Sequence, residues 1–199
     1  HRGIDKEVLD AFSYRGLVYE SADYHNAVFV GKDETGTARY AFLRGTYTKG
    51  KPFKAEVSGS EKQYCFCLPP KGKTNRLAVY EAAIETLAHL TLEGSADKWR
   101  LSLGGISAPK DGEPSRSFSF KKPLALESFL GRHPEIEELE ICTNNDFAGR
   151  WAATCLEKAY QGRYRIVKNL PEKEGCDYAD LTKERYEKQA ARQRATCSR

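Results

Sequence analysis

The chain has 199 residues, of which 40% are hydrophobic and 11% aromatic, and its formal net charge is +4. That length and apolar content suit one large or two small globular domains and exclude a disordered polymer. No apolar run approaches the roughly twenty residues that a bilayer-spanning helix requires.

Apolar residues at 4, 8, 9 and 12 make a helical stripe over Ile4 to Tyr14, and Gly16 supplies a stop. Leu17-Val18-Tyr19 and Ala27-Val28-Phe29-Val30 read as strands, and the turn-rich segment 31–37 leads into Ala38–Leu43 as a hairpin. A further strand is expected around 63–68. It would close an N-terminal unit, residues 1–74, at the stiff junction Pro69-Pro70-Lys71-Gly72-Lys73. From Arg76 the pattern alternates: strand 77–80, helix 82–92, strand 99–103, polar loop 106–122, helix 123–131, strand 139–142, helix 147–160, strand 163–167 and a last helix over 180–193. Such alternation predicts a parallel sheet built from crossover units. The expected fold is α/β: a parallel sheet flanked by helices over 75–181, preceded by a smaller α+β unit with antiparallel strands. A basic helix or tail, 182–199, follows.

Six cysteines stand at 65, 67, 142, 155, 176 and 197 without a Cys-x-x-Cys pair, and the four histidines are dispersed, so no zinc site is expected. Buried, reduced thiols and the lack of a signal-like start favour a cytoplasmic setting. No methionine occurs, and we expect a segment of a longer polypeptide with further domains. Residues 1–74 carry 12 Lys+Arg against 9 Asp+Glu, residues 75–181 carry 14 against 17, and residues 182–199 carry 6 against 2. An acid-rich middle between basic flanks fits metal chemistry beside a polyanion. In the first unit Arg44, Lys49, Lys51, Lys54 and Lys62 interleave with Tyr40, Tyr47, Phe53 and Tyr64. Lysines neutralise phosphates and aromatic faces stack bases, although a β-core with a lysine rim has the same composition. Lys71-Gly72-Lys73-Thr74 is no phosphate loop, because Cys67 stands where the first glycine belongs and the segment precedes a strand. Lys71 and Lys73 remain candidates for phosphate contact.

Two acidic signatures follow strand-like runs and precede helix-like runs: Val79-Tyr80-Glu81-Ala82-Ala83-Ile84-Glu85 and Ile141-Cys142-Thr143-Asn144-Asn145-Asp146-Phe147-Ala148-Gly149-Arg150. In an α/β sheet that position is the carboxyl-end crevice where ligands bind. Glu85 lies one helical turn after Glu81, on the same face. Asp146 alone is explained as a helix N-cap, and Glu81 alone as a first-turn acid favoured by the helix dipole.

Together, Glu81, the Asn144-Asn145-Asp146 triplet and Ala148-Gly149-Arg150 resemble the Toprim domain of bacterial DNA primases, topoisomerases and some nucleases. Ser102-Leu103-Gly104-Gly105 is similar to a primase glycine turn, and Gly175-Cys176-Asp177-Tyr178-Ala179-Asp180-Leu181 to a degenerate later acidic motif. The N-terminal unit, with Arg2-Gly3-Ile4, Asp33, Gly36 and Arg44-Gly45, resembles the segment preceding Toprim in primases. It is closer still to Toprim proteins of bacterial plasmids and conjugative elements. The likeness spans about residues 2–181. It implies magnesium- or manganese-dependent nucleotidyl transfer on single-stranded DNA and nucleotides, in plasmid or mobile-element replication or transfer, with no membrane partner. Glu81 and Glu85 would be catalytic, Asn144, Asp146 and Asp177 would hold metal, and Arg44, Lys54, Lys62, Lys71, Lys73 and Arg150 would contact nucleic acid. Asn144 stands where the family has an aspartate, which weakens the metal site. Two alternatives are a catalytically impaired module that binds nucleic acid within a larger replication or conjugation protein, and nuclease- or topoisomerase-like strand cleavage.

Overall fold

The computed structural model describes residues 2–47, 52–109 and 119–197. Lys49, Lys51 and residues 110–118 of the expected polar loop lie outside the described residues. Helix α1 (Lys6–Tyr14) leads into an antiparallel sheet of β1 (Val18–Glu20), β2 (Ala27–Lys32), β3 (Ala38–Arg44) and β4 (Lys54–Glu56), in that order. The β2–β3 hairpin forms where expected. Its turn is set by Asp33, whose Oδ1 accepts the amide hydrogens of Thr35 and Thr37 at 3.0 Å each.

The segment 63–68 is not the single strand expected of it. Lys62–Tyr64 is a single 3-10 turn, and only Cys67–Leu68 is extended, as β5. This β5 does not close the first sheet; it pairs antiparallel with a strand of the second one, and β4 takes the closing position instead. Phe66 and Leu68 are 0% and 1% exposed, so burial in the common core decides where this segment pairs. The Lys54-Ala55-Glu56 strand has no apolar alternation to announce it.

The second sheet has the order β5-β7-β6-β8-β9, with β6 (Arg76–Tyr80), β7 (Trp99–Ser102), β8 (Glu138–Ile141) and β9 (Arg165–Lys168) parallel to one another. The central β6 is buried on both faces, as its unbroken Leu77-Ala78-Val79-Tyr80 run requires. Ala78 and Tyr80 face α2 (Ala83–Glu93) and the start of α5 (Tyr178–Cys197). Leu77 and Val79 face α3 (Leu124–Arg132) and α4 (Phe147–Tyr160). Burial of Leu77 and Val79, at 0% and 1% exposure, contributes about 1.5–3 kcal/mol each.

Beside α2 the sheet also buries charge. Lys98 Nζ lies 2.6 Å from Glu140 and 2.7 Å from Glu93, Arg76 Nε lies 3.0 Å from Glu138, and Arg100 pairs with Glu93. Much of the acid-rich middle is therefore neutralised internally. The last helix is longer than its expected span and starts on the core: Thr182 Oγ1 donates to the Arg2 carbonyl and Arg185 donates to the Thr91 carbonyl. Among the described residues no helix is long and apolar enough to cross a membrane.

Candidate active site

The parallel strands β6 and β8 are neighbours, so the acidic signatures that follow them meet at one end of the sheet. Glu81 comes directly after β6, and its Oε1 accepts the Asn144 amide hydrogen at 3.0 Å across 63 positions of sequence. Its carbonyl accepts the Gly105 amide at 2.9 Å, which ties it to the Gly104-Gly105 turn after β7. Both glycines have positive φ, the left-handed region that suits residues without Cβ. Glu85 is 3% exposed, and its Oε2 accepts the amide hydrogens of Glu81 and Ala82 at 3.1 Å each. This is the return half of a capping box. The Glu85 carboxylate thus clamps the Glu81 backbone.

Asp146 caps α4: its Oδ1 accepts the Gly149 amide at 2.7 Å. A Cβ on Gly149 would lie 2.8 Å from the Asn144 nitrogen and 2.7 Å from the Asn144 carbonyl carbon, so only glycine lets α4 begin this close to the strand end. Asn145 turns away from the cleft. Its Nδ2 donates to the Pro171 carbonyl at 2.9 Å and its carbonyl accepts the Gly175 amide at 2.7 Å. These bonds hold the loop that delivers Asp177. Asp177 and Asp180 cap the start of α5 reciprocally, through Asp180 N to Asp177 Oδ1 at 2.7 Å and Asp177 N to Asp180 Oδ2 at 3.3 Å.

The result is a cleft of 390 Å³. Glu81, Glu85, Asn144 and Asp177 line it together with Arg44 and Lys54 from the first sheet. Burial raises the pKa of Glu81; the Asn144 hydrogen bond opposes this, and the charges of Asp146 and Asp177 add to it. Burial likewise raises Asp177; the hydrogen bond from the Asp180 amide opposes this, the Asp180 charge adds to it, and Arg44 and Arg2 oppose. Glu85 lies well above the ordinary carboxylate range, first through burial and then through Asp177 and Glu81. Arg44 is lowered by burial and by Arg2, against the pull of Asp177, Glu85 and Asp180.

Each carboxylate here raises its neighbours' pKa, a concentration of negative potential that a divalent cation would neutralise. The oxygen donors Glu81, Asp146, Asp177 and the Asn144 amide suit magnesium or manganese. These carboxylates do not gather within 4.8 Å of one another; the one trio of metal-capable atoms that does, among the described residues, is His89, Glu140 and Cys142. That trio is not a metal centre. Lys98 and Asn169 each bond Glu140 at 2.6 Å, and Tyr80 Oη bonds His89 Nδ1 at 2.6 Å. Magnesium keeps several waters, so the wider spacing at Glu81 is compatible with it.

The other sequence candidates divide. Lys62 is exposed, 3.5 Å from Glu56, and lines a neighbouring cavity. Lys71 and Lys73 are not at the cleft. They precede β6, so a strand of five residues, about 16 Å long, separates them from Glu81. They line a larger depression of 940 Å³ with Trp99 and Glu135, which has no gathered carboxylates. Arg150 is spent on Asn145 and Glu174, at 3.1 Å from each. Tyr40, one of the aromatics interleaved with the basic residues, lines the cleft from β3; sequence reasoning missed Phe42 beside it and the coupling of Arg2 and Asp180 to the cleft. Alternation along β3 was the available signal for the two aromatics.

A model for a family described as a protein of unknown function (DUF3991) matches residues 1–73. No curated protein matches the chain. Among solved structures, the zinc-binding and RNA polymerase domains of the Aquifex aeolicus primase align with a TM-score of 0.57 at 15% identity, covering 96% of this chain and 52% of that one. The primase fragment of the bacteriophage T7 primase-helicase gives 0.55 at 18% identity, covering 96% and 70%. The RNA polymerase domain of the Mycobacterium tuberculosis primase, in complex with a double-stranded DNA oligomer with a 6-nucleotide overhang, gives 0.50 at 15% identity, covering 89% and 57%. The chain thus has a primase-core-like α/β fold. It spans little more than half the length of the bacterial primase domains that it matches.

Proposed function

We propose that this chain is a primase-type core that joins nucleotides on a single-stranded DNA template with a divalent cation, magnesium or manganese. The reading rests on one observation, the hydrogen bond from the Asn144 amide to Glu81, which joins both acidic signatures at one cleft of a primase-like fold. The crystallised complex of the mycobacterial domain with DNA supports the choice of partner. When bound, the cation would stabilise charge on the phosphoryl oxygens. Asp146 through Oδ2, Asp177 and the Asn144 side chain would hold it. Glu81, its pKa raised by burial, accepts the proton of the attacking 3′-hydroxyl at Oε2 while the new O–P bond forms and pyrophosphate leaves. Glu85 fixes the Glu81 backbone, and Arg44 and Lys54 face the carboxylates to receive phosphates. A setting in plasmid or mobile-element replication follows from the sequence resemblance of the N-terminal unit. Primer synthesis on a single-stranded template with magnesium or manganese tests the assignment: Glu81→Gln loses at least about 100-fold in rate. Undiminished synthesis by Glu81→Gln removes it.

A second reading is favoured by Asn144, which offers an oxygen but no charge. A cleft short of one carboxylate suits a module that binds nucleic acid without turnover. Under that reading the unsubstituted chain binds single-stranded DNA, shows no synthesis, and gains cation affinity by about tenfold or more in Asn144→Asp.

A further inference from the structure

A second cavity, of 380 Å³, opens from the acidic cleft: Gly104, Gly105 and Ile106 line both. Across this neck the lining changes sign. Among the described residues no carboxylate lines the second cavity; Lys62, Lys121 and Lys122 do, with the Phe120 ring beside them. Lys121 and Lys122 have no carboxylate partner among the described residues, and Lys122 Nζ rests 5.0 Å from the Tyr160 ring centroid. Phe120 is half-buried and held edge-on against Trp151, with ring centroids 5.9 Å apart. The α3 helix begins at the same cavity, and its N-cap, Pro123, makes no side-chain hydrogen bond, so the positive end of the helix is uncapped there. At the neck a Cβ on Gly105 would meet nothing within 4 Å, which leaves main chain accessible to a close-approaching backbone.

Phosphates are repelled by the carboxylates of the first cavity except where a cation screens them, so a polyanion leaving it needs positive charge at once. A base on the same polymer needs a π-face. The second cavity supplies both within one wall, the combination that single-strand tracks use. Resting on the nucleotidyl-transfer reading of the acidic cleft, we propose that this cavity is the track of the single-stranded nucleic acid next to the reacting position. Lys62, Lys121 and Lys122 contact successive phosphates, and Phe120 stacks a base. A free triphosphate would use the lysines but not the ring.

The test is fluorescence anisotropy of a labelled oligothymidylate with the full chain, over a salt series, using Lys121→Ala/Lys122→Ala and Phe120→Leu. Loss of two phosphate contacts makes the slope of log K against log salt shallower by about 1.4, at about 0.7 for each contact on a single strand. Phe120→Leu keeps apolar packing and lowers affinity roughly 5-fold or more without changing the slope. An unchanged slope in the double variant overturns the track. So does a loss confined to ATP binding while oligothymidylate binding stays intact, which would make the cavity a triphosphate site. Manganese titration of the same proteins separates the two readings. Retained manganese binding with an unchanged slope strikes only the track, whereas no manganese binding by the unsubstituted chain strikes the acidic cleft.

Discussion

Asp146 has two roles that substitution can separate. It caps α4 through a 2.7 Å bond from the Gly149 amide, and its charge raises the pKa of Glu81 in the cleft. Asn is as good an N-cap as Asp but is uncharged, whereas Ala does neither job. Asp146→Ala should cost about 1 kcal/mol of stability, and a protein of this size then melts roughly 2–4 °C lower. Asp146→Asn should melt within about 1 °C of the unsubstituted chain, since its cap is retained. If the charge serves metal-dependent chemistry, both variants lose primer synthesis alike, by about 100-fold or more, because removal of one oriented electrostatic group from a reacting site costs 10²–10³. Thermal melting read beside a primer-synthesis assay gives both quantities from one preparation. Full synthesis by Asp146→Asn would refute the reasoning and leave Asp146 as a cap alone.

Other substitutions test the scaffold of the cleft. Gly149→Ala drives a methyl into the Asn144 backbone and should destabilise by about 1–3 kcal/mol, visible as a lower urea midpoint. Glu85→Gln keeps an acceptor for the Glu81 and Ala82 amides and should keep stability and most activity. Glu85→Ala strands two amides and should cost about 1–3 kcal/mol, with activity falling as Glu81 loses its support. The acids of the cleft also predict a pH signature. Glu81, Glu85 and Asp177 bind protons more tightly folded than unfolded, so the stability they add is complete below the ordinary carboxylate range and is lost as pH rises through their raised values. A divalent cation binds the ionised forms, so the rise in melting temperature on adding manganese should grow between about pH 5 and pH 8. It should be smaller and flatter in Glu81→Gln. His89, lowered to about 4 by burial, acts oppositely as pH falls below its ordinary value, with or without the cation.

The elements with a strong local signal were legible in the sequence. The apolar run of β6 and the Asp146-capped stripe of α4 form almost where their patterns predict, since burial of a strand and capping of a helix are written within a few residues. The acids were legible as a set because each stands just after a strand, and parallel strands align those ends. The weakest readings concern segments whose partners are remote. β5 is two residues long and joins the second sheet, and β4 carries no alternation. Arg150 adjoins the site in sequence, yet it bonds Asn145 and Glu174.

Residue order alone determined which positions become strands and helices and that Glu81, Asn144 and Asp146 belong to one end of a sheet. Tertiary structure decided what each charge does there: Glu85 turned inward onto backbone amides, and Lys71 and Lys73 were carried to the opposite end of β6. It also set Lys62, Lys121 and Lys122 around one cavity from positions far apart in the chain. The physical reason is range. Hydrophobic periodicity and capping act over one or two turns, whereas the partner of a charge depends on which distant backbone the packed core brings within about 3 Å.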